Sequence, residues 1–358
     1  MEYIYDYNMN IRKFLMCALA GAPLLSFAAV PSKHGIEKAN LDSDVDPKQD
    51  FYMYACGGWK KNNPLGAEFS RFGTFDQLRE NARNQLKELI LNLSDNPQSK
   101  IKGTNAQKVS DLYALGMDSA RLNREGAAPL MPMLDKINSM KPEEFTSTLA
   151  WLHNGLGGSF FGTGVGADAK NADMNIMHIG EPGLGLGDRD YYLEQNETNG
   201  KIMAAYERYI KRMMELIGYD KKEQQRVWDN VISIETEIAR NKKTREERRN
   251  PQLRYNMMTM DEILKSYPNI DWKGYFSALG LPEVDKANVS SVKYMEFINE
   301  YLPKLNQQQI KDLMTVDLVT SSSNLLSDDF QEANFEMFDR TMSGIEQMEP
   351  RWKRVMTI

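Results

Sequence analysis

Cysteine and histidine are scarce in this 358-residue chain: two Cys, at positions 17 and 56, and three His, at 34, 153 and 178. Two thiols cannot build a disulfide framework or a Cys-rich zinc scaffold. Basic charge is not in excess either, since 44 Lys and Arg stand against 50 Asp and Glu for a net charge of −6. That excludes a general nucleic-acid binder, whose affinity comes from neutralising phosphates, and no nucleic-acid partner is expected. It also argues against a polybasic membrane-surface protein. No repeat recurs at solenoid periods, and no low-complexity tract interrupts the chain. With 41% hydrophobic and 26% charged residues, the balance is that of a soluble globular protein long enough for one large or two ordinary domains.

The N-terminus reads as an address. Met9-Asn10-Ile11-Arg12-Lys13 is a short basic start, Phe14 to Leu25 is apolar, and Ser26-Phe27-Ala28 is a small-x-small cleavage site. The run is short for a bilayer span and carries the flanks of a secretory signal, with Pro23 breaking the helix where such a core ends. Residues 1–28 are therefore expected to be a signal peptide. Residues 1–8 fit no signal pattern and are read as a spurious extension ahead of a true start at Met9. The expected location is outside the cytoplasm, in a periplasm, on a cell surface or extracellular, with no stable membrane span after cleavage. Cleavage would also remove Cys17 and leave Cys56 alone, read as a buried apolar thiol.

Residues 29–45 are polar and aperiodic and are read as a linker. From Asp50 onward helical periodicity dominates. A helix opens at Thr74, with Phe75, Leu78, Ala82, Leu86, Leu89 and Ile90 as its apolar stripe. Others are expected at Lys108–Met117, from Pro142, at Ile202–Ile217, Val227–Ala239, Val292–Leu305, Gln309–Leu326 and Asp329–Met342. The exception is Gly157 to Gly187. Phe160–Val165 and Met174–Ile179 read as strands around a polar turn at Asp168–Asp173. The fold class is thus mainly α and multihelical, with a small β-hairpin at about 158–181. Lys242 to Arg249 mixes both charge signs and reads as a solvated helix face.

Hydrolytic chemistry is hard to place. A His-Glu-x-x-His motif puts two ligands on one helix face beside a Glu that can deprotonate a metal-bound water. Here His34, His153 and His178 are followed by Gly35, Asn154 and Ile179, and no two His are four apart. His153 and His178 could meet in space, but scattered His are most simply satisfied structural residues. Gly157-Gly158-Ser159-Phe160-Phe161 lacks the second Gly of a nucleophile elbow. Cys56 has no neighbouring His to make it a thiolate. The Gly-rich runs at 162–166 and 183–187 open no helix after a strand, so neither is a phosphate loop. Glu143-Glu144 is a helix start before it is a catalytic pair.

One set of segments is more particular. Asp46-Pro47-Lys48-Gln49-Asp50-Phe51-Tyr52-Met53-Tyr54-Ala55-Cys56-Gly57-Gly58-Trp59 is followed by Pro64 and then Ser70-Arg71-Phe72-Gly73-Thr74-Phe75-Asp76. Leu112-Tyr113 comes next, with Gly116-Met117-Asp118, then Gly183-Leu184-Gly185-Leu186 leading to Asp188-Arg189-Asp190-Tyr191-Tyr192-Leu193. Ile234-Glu235, Ile238-Ala239, Arg248-Arg249-Asn250-Pro251, Tyr255-Asn256, Gly344 and Pro350-Arg351-Trp352-Lys353-Arg354 complete the series. In this order they resemble the N-terminal half of the neprilysin family of zinc metallopeptidases, which includes the endothelin-converting enzymes and the bacterial oligopeptidase O proteins. The resemblance covers about Asp46 to Arg354, so residues 46–358 are read as the N-terminal domain of such a peptidase.

The resemblance implies two lobes around a large chamber. A helical N-terminal lobe admits short peptides, and a C-terminal lobe carries the zinc motif, a third ligand Glu and an Asn-Ala-Tyr strand. Nothing in this chain matches those C-terminal elements. No metal ligand, catalytic residue or cofactor is therefore assigned to it, although one zinc ion is expected in a full-length family member. The implied partners are short peptides and the catalytic lobe. By the same resemblance, the Arg of the Ser-Arg-aromatic-Gly motif, here Arg71, reaches the substrate's C-terminal carboxylate, and a planar guanidinium fork suits that task. A structural salt bridge is the competing role for Arg71. Lys48 stands where many relatives have Cys, Gly187 where Pro is commoner and Asn250 where Asp is usual, which suggests a bacterial, disulfide-poor branch. The chain is expected to gate substrate without hydrolysing peptides by itself. The alternative is a stand-alone secreted peptide-binding or interaction module.

Overall fold

The computed structural model describes residues 37–281 and 283–357. The signal-like segment 1–28, with Cys17, and His34 lie outside them. The chain divides into two compact units, the first ending at Leu65 and the second starting at Gly66. In the first, helix α1 (Phe51–Asn62) is capped by Asp50, whose carboxylate accepts from the Met53 N–H at 2.9 Å, satisfying one of the orphan donors of a helix start. Part of the stretch read as a linker packs on this helix. Lys38–Asn40 form one 3-10 turn, the Asp42 N–H donates to the Tyr54 carbonyl at 2.8 Å, and the Asp42 carboxylate pairs with Lys61 at 2.9 Å. This crossing explains the Gly57-Gly58 pair, because a Cβ on Gly58 would lie 2.4 Å from the Ala39 carbonyl oxygen. Cys56 is a free thiol that is only half-buried, not the buried thiol expected.

The second unit opens with α2 (Thr74–Asp95), α3 (Asn105–Met117), α4 (Ser119–Glu125), α5 (Met131–Ser139) and α6 (Phe145–His153). The expected helix at Pro142 begins as a 3-10 turn that runs into α6, with the Glu144 carboxylate accepting from the Lys141 N–H at 2.8 Å. Strands β1 (Gly162–Asp168) and β2 (Asn171–Gly180) form the expected antiparallel hairpin, with Gly162 opposite Gly180. Two long helices follow, α7 (Glu197–Leu216) and α8 (Lys221–Asn241). The turn between them is fixed by a capping box: the Asp220 carboxylate accepts from the Lys222 and Glu223 N–H groups, and Glu223 reaches back to the Asp220 N–H at 2.9 Å.

Next come β3 (Met257–Thr259), α9 (Met260–Ser266), α10 (Trp272–Ala278), β4 (Lys286–Val289), α11 (Val292–Tyr301), α12 (Gln307–Ser322), α13 (Asp328–Asn334), the π-helical α14 (Phe335–Met342) and α15 (Arg351–Val355). The hairpin is half of a larger sheet of order β1-β2-β4-β3, in which β4 runs parallel to β2 and antiparallel to β3. Strands β3 and β4 hold three and four residues, too few for an alternating pattern to register.

The core follows from helical period. Helix α7 buries Ile202, Tyr206, Tyr209, Ile210 and Met213, and α8 buries Val227, Trp228, Val231, Ile234 and Ile238. Helix α12 is buried on most sides, as its Leu313, Met314, Val316, Leu318 and Val319 require. Arg226 on α8 holds the buried Asp312 of α12 through Nε at 3.1 Å and Nη2 at 3.2 Å. Phe161, Trp272, Tyr275 and Phe276 form an aromatic cluster, with Phe161 and Trp272 centroids 5.1 Å apart. Such pairs add about 0.5–1.5 kcal/mol each beyond area burial. Phe160 holds a left-handed φ of 69°, a strained conformation for a bulky residue. Its burial and a 2.5 Å hydrogen bond from the Tyr294 hydroxyl to its carbonyl hold it there.

Two sequence expectations need correction. The apolar stripe of α2 is not core: Phe75 is 88% exposed, Leu78, Leu86 and Leu89 are also exposed, and only Ile90 is buried. The mixed-charge run at 242–249 is a solvated face only in part, with Arg245, Glu246, Glu247 and Arg249 exposed. Lys242 is buried with its ammonium on the Pro182 carbonyl, Lys243 donates to the Ser290 carbonyl, and Arg245 and Arg248 both bind the Asp188 carboxylate at 2.9 Å. Long basic stems let these heads reach backbone oxygens that would otherwise stay unpaired.

Candidate functional site

Arg71 sits in the extended segment that leads into α2. Gly73 caps that helix: its N–H donates to the Asp76 carboxylate at 2.9 Å, and its carbonyl accepts from the Gln77 N–H at 3.0 Å. Phe69 and Phe72 brace the segment edge-to-face, with centroids 5.0 Å apart. The end of the described chain folds back on it. The Glu346 and Gln347 N–H groups both donate to the Ala67 carbonyl, and Lys353 pairs with Glu68 at 2.7 Å and Glu80 at 2.5 Å. Arg71 thereby stands on the wall of a cleft of about 650 Å³, whose other walls come from the ends of α12, α14 and the 345–354 segment. Phe335, Phe338 and Asp339 of α14 face it, on a helix whose wide i→i+5 turns often accompany functional sites.

Four arginines line this cleft: Arg71, Arg79, Arg83 and Arg354. Arg79 is held by Asp76, and Arg83 by Glu349 at 2.7 Å and Glu80 at 3.3 Å. Arg71 is exposed and has no hydrogen bond or ion pair among the described residues. The competing salt-bridge role is therefore not the one observed for this side chain. Among the described residues Arg354 has no carboxylate within pairing distance either. Asp339 also faces the cleft, and burial followed by the nearby Glu349 charge raises its carboxyl above the usual range. The cleft therefore presents a free guanidinium on a polar wall, which can receive a carboxylate in two parallel hydrogen bonds.

The other singled-out residues are structural in geometry. His153 Nε2 lies 2.8 Å from the Ser159 carbonyl, which can only accept, so Nε2 carries the proton. Nδ1 then accepts from the Tyr275 hydroxyl at 2.7 Å, and Thr163 donates to the same tyrosine oxygen. Burial pushes this imidazole down to about 4. His178 Nδ1 meets the Asn288 amide at 3.2 Å. The structure does not bring the two His together in one site. Among the described residues no cluster of three or more His, Cys, Asp or Glu could hold a metal ion, so these residues do not fit a catalytic zinc. Among the same residues no helix is long and apolar enough to cross a membrane.

Sequence reasoning passed over two buried carboxylates. Glu235 accepts from the Gly185 N–H at 2.9 Å and from the Tyr192 and Tyr206 hydroxyls at 3.0 Å each, yet burial still raises its carboxyl above the usual range. The signal was present, since Glu235 lies on the same α8 face as Val231 and Ile238. Asp317 accepts from the Ser159 hydroxyl, and burial, with Glu235 nearby, raises it to about 7. Gly185 fits between these elements only because it lacks a side chain: a Cβ there would lie 1.8 Å from the Tyr206 hydroxyl oxygen.

The mainly helical domain with its small four-stranded sheet matches the N-terminal domain of a neprilysin-like peptidase. Residues 47–358 match the N-terminal domain model described as peptidase family M13. The chain belongs to that family. It is 31% identical to rat endothelin-converting enzyme 1 across 88% of this chain and 42% of that protein. The zinc metalloprotease Zmp1 of Mycobacterium tuberculosis, solved with an inhibitor, superposes with a TM-score of 0.83 at 27% identity, over 90% of this chain and 49% of Zmp1. PepO of Lactobacillus rhamnosis shares the fold, with a TM-score of 0.72 at 17% identity over 87% of this chain and 49% of PepO. The chain thus spans about half the length of the relatives it matches.

Proposed function

We propose that this chain is the substrate-admitting lobe of an exported zinc metallopeptidase. Arg71 receives the C-terminal carboxylate of a short peptide lying in the cleft. Hydrolysis belongs to zinc ligands outside these 358 residues, where the metal would polarise the scissile carbonyl and activate water. The lobe positions and selects, and by itself it leaves peptides intact. The observation that carries the reading is the state of Arg71, a guanidinium unpaired among the described residues on the wall of a cleft whose neighbouring Arg79 and Arg83 are both neutralised.

Calorimetric titration of the purified chain with Gly-Gly-Gly and with its C-terminal amide tests this. The free acid should bind about tenfold or more tighter, as a charge-assisted bidentate contact implies, and Arg71→Ala should erase the difference. Equal binding of acid and amide would remove Arg71 from substrate recognition. Chelator-sensitive peptide cleavage by the isolated chain at stoichiometric zinc would overturn the division of labour.

A further inference from the structure

A second cavity, of about 150 Å³, lies where α3, α4 and α15 meet the segment after α12. Its walls are mostly apolar, from Leu112, Leu115, Leu122, Leu325 and Val355, with Asn324 and Gln331 as polar neighbours. Leu112, Leu115 and Leu325 are about half exposed, so the mouth is open to solvent. An apolar cavity of about this volume can hold a benzene ring.

Two arginines of α15 close the rim, and their situations differ. Arg351 is satisfied, with Nη2 on the Asp328 carboxylate and Nη1 on the Gly116 carbonyl at 3.1 Å. Arg354 is not. Among the described residues its Nε is buried without a hydrogen-bond partner, and its Nη1 meets only the thioether sulfur of Met348, a weak acceptor. Of the nearby acids, Asp328 is committed to Arg351 and Asn123 and Glu349 to Arg83, while Glu332 is near enough to favour the charge but makes no ion pair with Arg354 among the described residues. Burial and then the Arg351 charge disfavour the guanidinium's charged form. An arginine cannot escape this by losing its proton, so a desolvated cation is left facing an apolar pocket. The ligand that meets both conditions has a carboxylate attached to a compact hydrophobic group.

We propose that this pocket binds an apolar carboxylate, its hydrophobic group of phenyl or isobutyl size among the leucines and its carboxylate on Arg354. The ligand chemistry is shared by a free aryl or alkyl acid and by a peptide ending in Phe or Leu. The pocket shares Asn324, Leu325, Gln331 and Arg354 with the walls of the Arg71 cleft, but the proposal does not depend on the Arg71 reading.

The probes are 3-phenylpropanoate, its neutral amide 3-phenylpropanamide, and N-acetyl-phenylalanine, titrated into the full chain by calorimetry. The acid should bind about tenfold or more tighter than the amide. Arg354→Gln should abolish that preference, while Arg71→Gln leaves it within about twofold. Leu122→Trp, which fills the cavity and keeps Arg354, should abolish binding of all three, and serves if Arg354→Gln does not fold. Tighter binding of N-acetyl-phenylalanine identifies a peptide end as the ligand, and tighter binding of 3-phenylpropanoate a free acid. The proposal is overturned by equal binding of acid and amide, by no binding at millimolar concentration, or by loss of the preference in Arg71→Gln instead of Arg354→Gln. Because the two arginines are varied separately, failure here leaves the Arg71 result interpretable.

Discussion

Replacing Asp317 by Asn should stabilise the protein at alkaline pH and leave it unchanged in acid. The folded carboxyl titrates at about 7 against an ordinary value of 3.8, because burial and the Glu235 charge disfavour its ionised form. Between those values the folded chain holds a proton that the unfolded chain has released. Folding therefore takes up a proton, and stability falls as pH rises from about 4 to about 7. The raised carboxyl spans roughly three pH units, and at about 1.4 kcal/mol per unit the full penalty above pH 7 approaches 4 kcal/mol. Part of the residue still meets solvent, which relaxes the buried charge and brings the expected gain to about 2–4 kcal/mol. Asn has nearly the same shape, accepts the Ser159 hydroxyl through Oδ1 and is neutral at every pH. At roughly 2 °C per kcal/mol for a unit of this size, Asp317→Asn should melt about 4–8 °C higher than the parent at pH 8 and at the same temperature at pH 4. Circular-dichroism melts at the two pH values decide it. A gap of equal size at both, or a variant that melts lower at pH 8, would refute the reasoning.

Two further outcomes are expected. Gly185→Ala drives a methyl into the Tyr206 hydroxyl and the Glu235 carboxylate, and should cost about 1–3 kcal/mol or more; a melt within 1 °C of the parent would show that this junction gives way freely. His153, held at about 4 by burial, should show no imidazole NMR titration between pH 5.5 and 8. Its depressed value makes its contribution complete above about 6.5, fading as pH falls toward 4; a midpoint near 6.5 would remove the buried tyrosine–histidine pair from the core.

Legibility in the sequence tracked length and period. Helices α7 and α8 were readable because twenty or so residues of amphipathic repeat leave little ambiguity, and their caps carry Asn196 and Asp220. The same rule misled at α2, where Phe75, Leu78 and Leu86 repeat like a core stripe but remain exposed. Periodicity reports that a helix has an apolar face, not what covers it. Arg71 was legible only through resemblance, since a lone arginine in a loop has no pattern of its own. Arg354 was visible within a matched segment, but its placement beside Met348 and on a pocket shared with the α3–α4 leucines is set by distant parts of the chain, which no local pattern encodes.

The amino-acid order alone settled the helical class, the hairpin, the family resemblance and the lack of a His-Glu-x-x-His motif, because each depends on neighbours within about twenty positions. Tertiary structure alone decided which charges are spent. Among the described residues, Arg79, Arg83 and Arg351 find carboxylates, whereas Arg71 and Arg354 do not. It also decided that Lys242 is buried and that Asp317 keeps its proton to about 7. The reason is that pairing and desolvation are set by groups brought together from distant parts of the chain, and the energy of a charge depends on what surrounds it in space.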